Sequence, residues 1–270
     1  MNHFFSSMIF DLIKYALVCG LFAGTMLAIL GIFVVGKRSL FAGLAVSQLA
    51  GLGSVLGAVL AWHSGEFVLA FGIILLAMSL YTVLSKNKFV PPETWIAALH
   101  IFAASLCVLI LANFPHGETS TLNVLFGNIL SLGISEVWES IAIFAIGLCT
   151  LGIGFDRWVW ITLNPESAEV SGLNLKFWNF IFYCLFALAM TVSVHIFGVL
   201  LAFSYLVLPA TIALTLGKTM RQVVTIAIGS IVGSTVAGLA VSVAMDWPSS
   251  PAIAAILAAL AILSKLFSGK

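Results

Sequence analysis

What this sequence has least of is charge: Asp, Glu, Lys and Arg make up 8% of its 270 residues, where a water-soluble domain carries about 25%. That deficit excludes a soluble globular fold. A net charge of +1 gives no ground for a nucleic-acid partner or an anionic surface. Catalytic motifs are missing as well. There is no HExxH, no GxSxG and no glycine-rich loop ending in a phosphate-binding lysine, so the chain does not itself hydrolyse ATP. An intramembrane enzyme would need a nucleophile or a metal triad, and neither is found. Cys19, Cys107, Cys149 and Cys184 lie scattered in apolar runs without CxxC spacing and read as small buried hydrophobes. The ten-residue alternation of a membrane barrel is absent too. At the N-terminus, Asp11 and Lys14 precede a long apolar run with no clear small-residue cleavage site, unlike a secretory signal.

What is present is apolar length. Hydrophobic residues make up 62% of the chain and the mean hydropathy is +1.20. Only helices satisfy their backbone over such runs in lipid. Nine segments can be marked, near 13–36, 41–62, 67–85, 94–113, 136–160, 177–194, 196–217, 222–245 and 250–267. The expected fold is therefore all-α: a polytopic helical membrane protein with about eight or nine transmembrane helices in one domain, 1–270. Placing Lys37 and Arg38 in the cytoplasm also puts Lys86, Lys88, Arg157, Lys176, Lys218, Arg221, Lys265 and Lys270 inside, leaving only Lys14 outside. The positive-inside rule then reads N-terminus out and C-terminus in. On the outer side, His63 and His116 sit in short polar loops, and residues 120–134 are too short to span and fit a re-entrant or surface helix.

The stretch 196–216 runs about 20 residues without charge, enough to cross. Pro209 inside it removes a donor and predicts a kink against the Tyr205 carbonyl, with Ser204, Tyr205 and Thr211 near enough to satisfy what is freed. Small residues recur every four positions at Gly43, Ser47 and Gly51, and again at Gly229, Gly233 and Ala237 beside Ser230, Ser234, Gly238 and Ser242. Such ridges place those helices in the interior or at a subunit interface. Between the fifth and sixth segments, Asn164 is placed to cap a short helix. Pro165 stands at its first position, Glu166 in its first turn and Gly172 at its end. This is either a capped connector or a docking helix for a cytosolic partner. Polar groups inside the spans are Ser47, Gln48, His100, His195 and Ser204. Each is either a contact for a passing solute or one end of an interhelical hydrogen bond.

Several of these stretches, in order, resemble the zinc- and manganese-type ABC importer permeases. Gly198-Val199-Leu200-Leu201 with Leu206-Val207-Leu208-Pro209-Ala210-Thr211 looks like that family's signature helix. Lys37-Arg38-Ser39-Leu40, Glu93 and Leu125-Phe126-Gly127-Asn128 are similar to its basic turn, the opening of its fourth span and its outer re-entrant segment. Asn164-Pro165-Glu166, Ala168, Glu169 and Gly172 lie in a segment that resembles its ATPase-coupling helix. Gly238-Leu239, Ser242, Asp246 and Pro248 resemble its last outer turn. The resemblance implies a bacterial inner-membrane permease working as a homodimer. Its partners would be a cytosolic ABC ATPase that holds ATP and Mg, and a periplasmic or surface solute-binding protein. The chain itself would bind no cofactor, and its pathway would involve Ser47, Gln48, His100, His195, Ser204 and Pro209. The implied cargo is zinc or manganese, but Leu44 and Gln48 stand where the family typically carries an aspartate and a histidine. A metal chelate or other small solute is the alternative cargo. An ATPase-independent secondary transporter is the rival class, although the spans lack the charges such carriers use.

Overall fold

The computed structural model describes residues 2–37, 39–60, 65–84, 91–113, 124–127 and 134–267. His63 and His116 lie outside them, as does most of 120–134, of which one helical turn, 124–126, is described. Among the described residues all regular structure is helical. The long helices are α1 (Asn2–Gly36), α2 (Leu40–Val59), α3 (Glu66–Leu84), α4 (Pro92–Ala112) and α5 (Ile134–Leu163). They are followed by a short α6 (Pro165–Val170), then α7 (Leu175–Leu216), α8 (Met220–Met245) and α9 (Ser249–Phe267). Seven of them are long and apolar enough to cross a membrane; in α3 only Glu66–Leu80 reaches comparable apolarity. The chain is a polytopic helical membrane protein. Large apolar side chains point outward along the sides of the bundle, including Leu76, Ile101, Ile146, Ile153 and Ile262. Lipid replaces water there, so this exposure carries no penalty.

The expected sixth and seventh segments form one 42-residue helical run, α7, with a single non-helical residue, Gly198, at φ 78° and ψ 169°. A straight helix of that length would extend about 63 Å, twice a bilayer core. It is not straight. Phe182, before the break, meets Phe33 of α1 with ring centroids 5.9 Å apart. Leu206, after the break, packs its carbonyl against Gly31 of α1. Twenty-four residues of straight helix would hold those two positions about 36 Å apart. The legs 175–197 and 199–216 therefore run antiparallel. Residues 31 and 33 lie about 200° apart around α1, so the legs clasp it from two sides. The break belongs to Gly198 and not to Pro209, where the backbone stays helical. The hydroxyls expected to serve the proline go elsewhere. Ser204 donates to Leu200 O (2.7 Å), Thr211 to Val207 O (2.8 Å), and Tyr205 bonds Thr235 of α8 (2.8 Å).

This clasp sets the core. α1 and α7 are the most buried spans, with Met26, Leu27, Leu30 and Phe33 packed against Phe182, Phe197, Leu201 and Tyr205. The small face of α2 does what its spacing predicts. Gly43 and Gly51 receive the second leg of α7, and Gly53 and Gly57 receive Ala70 and Glu66 of α3. In α8 the two ridges part company: Ser234, Gly238 and Ser242 are buried, whereas Gly229, Gly233 and Ala237 are exposed. Basic residues gather at one end of the bundle, where Lys37 reaches Asn179 (3.3 Å) and α8 begins at Met220. At the opposite end α8 stops at Asp246, held in the left-handed region, with the Ser242 hydroxyl donating to Trp247 O (2.6 Å).

Candidate functional site

Polar groups on α2 are few, so each contact is informative. Ser47 is fully buried, and its hydroxyl donates to Leu44 O of its own helix (2.8 Å). Gln48 is half-buried, and no hydrogen bond to another described group engages its side chain. His100 of α4 places Nδ1 3.4 Å from the same Leu44 carbonyl. A carbonyl only accepts, so the contact requires a proton on Nδ1, and in the neutral ring Nε2 then keeps its lone pair. The structure thus brings His100 to the turn of α2 that holds Leu44, one turn from Gln48.

Ser204, Pro209 and His195 do not join that group. Ser204 and Pro209 are buried in the second leg of α7. His195 lies near the Gly198 turn at the non-basic end, its Nδ1 3.5 Å from Glu66 Oε2 and its ring 4.8 Å from that of Phe67. Glu66, Phe67 and His195 line a cavity together with Glu136, Glu139 and Ser140 of α5. No three His, Cys, Asp or Glu among the described residues converge as a metal site. Two groups escaped sequence reasoning. The Thr191 and Ser193 hydroxyls are buried in the first leg of α7 without a partner among the described residues. Only the fold could expose this, because isolated hydroxyls in an apolar helix usually bond their own preceding carbonyl.

At the basic end α6 is short and closed by a glycine. Gly172 adopts φ +87°, its N–H bonds Glu169 O (3.0 Å), and Leu173 N–H bonds Ala168 O (3.2 Å), a Schellman closure. At the other end Asn164 caps with its backbone: its carbonyl accepts from Ala168 N–H (3.1 Å), and its side chain makes no capping bond, contrary to the residue-type expectation. Ala168 is fully buried and seats the helix on the bundle. Glu166 and Glu169 are exposed, and Val170 is 89% exposed, an apolar knob that no local pattern singles out. The base is stiff: Trp158 Nε1 donates to Trp178 O (3.0 Å), and the Arg157 guanidinium stacks 4.6 Å above the Trp178 ring.

The sequence model of the ABC 3 transport family matches residues 9–268. The high-affinity zinc uptake system membrane protein ZnuB of Haemophilus influenzae is 28% identical over 256 residues, 94% of this chain and 97% of the relative. The manganese import system permease protein ScaB of Streptococcus gordonii is 24% identical over 231 residues, 85% of this chain and 82% of the relative. In the solved structure of PsaBC from Streptococcus pneumoniae in complex with Fab, one chain shares the fold with a TM-score of 0.84 at 20% identity, covering 93% of this chain and 90% of that one. With the family's sequence model matched over almost its whole length, the chain belongs to the ABC 3 transport family and is the membrane permease subunit of an ABC importer.

Proposed function

We propose that this permease passes a divalent transition metal, zinc or manganese, between two copies of itself. The observation that carries the reading is the near full-length similarity to permeases named for zinc and manganese uptake. In the proposed assembly the seven candidate spans, α3 and the second leg of α7 make nine crossings, with the N-terminus outside and the basic end in the cytoplasm of a bacterial inner membrane. Two cytosolic ATPases, which hold ATP and Mg, dock on α6 through Glu166, Glu169 and Val170. A solute-binding protein docks at the opposite end. ATP binding rocks the two halves, and cargo crosses a cavity lined by α2 and the second leg of α7.

Leu44 and Gln48 supply neither the carboxylate nor the imidazole that a tight pore site needs. Stripping a divalent ion of water without such ligands costs far more than one amide returns. Selection therefore rests on the binding protein, and the ion passes partly hydrated, with His100 the imidazole nearest its route. The purified subunit should bind no stoichiometric zinc or manganese, and Leu44→Asp with Gln48→His should create such a site. Tight metal binding by the unaltered protein, abolished by Gln48→Ala, would overturn the reading. Transport of a chelate with no transport of the free ion would favour the second cargo, which the missing carboxylate and imidazole also support.

A further inference from the structure

At the basic end, a cavity of about 150 Å³ opens between the start of α2, α3, α4 and the first leg of α7. Val34, Ala42, Met78, Ile96 and Phe186 form an apolar wall, and Tyr183, exposed on the side of the bundle, marks its opening. A cavity of that volume accepts a benzene-sized apolar group, or a short stretch of an acyl chain.

The rim of this cavity is electropositive. Lys37 Nζ lies 5.0 Å from the Phe182 ring centroid and 3.3 Å from Asn179 Oδ1, with no carboxylate at ion-pair distance among the described residues. Burial lowers its pKa below the ordinary lysine value, as expected of an ammonium short of counter-charge. Ser39, also on the rim, stands at the N-cap of α2 yet makes no capping bond, since its hydroxyl turns back to Lys37 O (3.3 Å). The first amides of α2 thus lack the side-chain oxygen that would normally serve them. Lys176 lies one turn before Asn179 and is exposed. The carboxylate nearest along the lining helices is Glu93, exposed in the first turn of α4.

We propose that this cavity binds an anionic phospholipid of the adjoining leaflet, its phosphate on Lys37 and the open N-terminus of α2, its chain entering past Tyr183 into the apolar wall. The charge complements the rim, the apolar wall suits a chain, and the opening faces the side of the bundle where lipid lies. A soluble anion would use the rim and leave the wall empty.

The test uses the purified transporter, stripped of lipid in detergent and titrated with phosphatidylglycerol, phosphatidylcholine or inorganic phosphate. Bound lipid is counted by native mass spectrometry and stability is followed as melting temperature. Phosphatidylglycerol should be retained at least about fivefold over phosphatidylcholine and should raise the melting temperature by several degrees, while inorganic phosphate should not. Lys37→Gln should abolish that preference and Lys37→Arg should keep it. Ala42→Phe, which fills the wall, should lower phosphatidylglycerol retention with the charge intact. Equal retention of the two lipids, or an unaltered preference in Lys37→Gln, overturns the proposal. Equal protection by phosphate shows a free-anion site and also overturns it. If Lys37→Gln does not fold, the three-ligand comparison on the unaltered protein decides.

Discussion

At φ 78° and ψ 169° Gly198 occupies a region essentially closed to residues with a β-carbon, and a side chain there would run into the backbone of Phe126 and Gly127. Strain of about 1–3 kcal/mol and overpacking of a similar size add at this one position. Gly198→Ala should therefore lower the melting temperature of the detergent-solubilised protein sharply. Gly72→Ala, on an exposed face of α3 where a methyl meets nothing, should leave it level or slightly higher. Equal effects of the two would remove Gly198 from its place as the hinge of α7. His100 offers a second residue-level test. If its free Nε2 accompanies the ion, His100→Gln should slow metal transport several-fold while ATPase activity and melting temperature change little, because an amide can still donate to Leu44 O. A loss of stability with no change in transport per folded molecule would make it a packing bond worth about 1 kcal/mol.

Among the elements, α6 tests the coupling scheme. Its two glutamates stand free of the bundle, so Glu166→Lys with Glu169→Lys should leave insertion and melting temperature intact while weakening ATPase association and transport together. Unchanged ATPase binding and transport would reduce α6 to a connector. This element was legible because its cues are local: Pro165 at the start, Glu166 in the first turn and Gly172 at the end need no tertiary knowledge. The missing side-chain cap at Asn164 and the knob at Val170 were not legible, since both depend on which way the segment is pressed against the bundle. The same division holds in α7. The apolar runs on either side of residue 195 could be read from length, but the turn could not be assigned. Proline is the loud breaker in sequence, whereas glycine breaks a helix only where a neighbour, here the 124–127 segment, presses on it. The chemistry on α2 was half legible: the absent ligands showed at once, but His100 became part of that spot only through the packing of α4.

For the whole molecule, orientation in the membrane can be tested directly. Single cysteines at Ser64 and Lys218, in a background lacking the four native ones, should react with an impermeant thiol reagent from opposite faces of sealed vesicles, the first from outside. Reaction of both from one face would break the nine-crossing topology and with it the placement of both docking ends.

The clasp around α1 also bears on how the protein is made. Gly31 must meet Leu206, so the helix at the centre of the fold is synthesised first and its clasp 175 residues later. At a translation rate of roughly 5–20 residues per second, α1 waits on the order of ten to thirty-five seconds for its partner. During that interval its groove at Gly31 lies against lipid or an insertion chaperone. Newly made chains cut short before residue 199 should therefore keep α1 open to crosslinking by such a chaperone, and chains extended past residue 216 should release it.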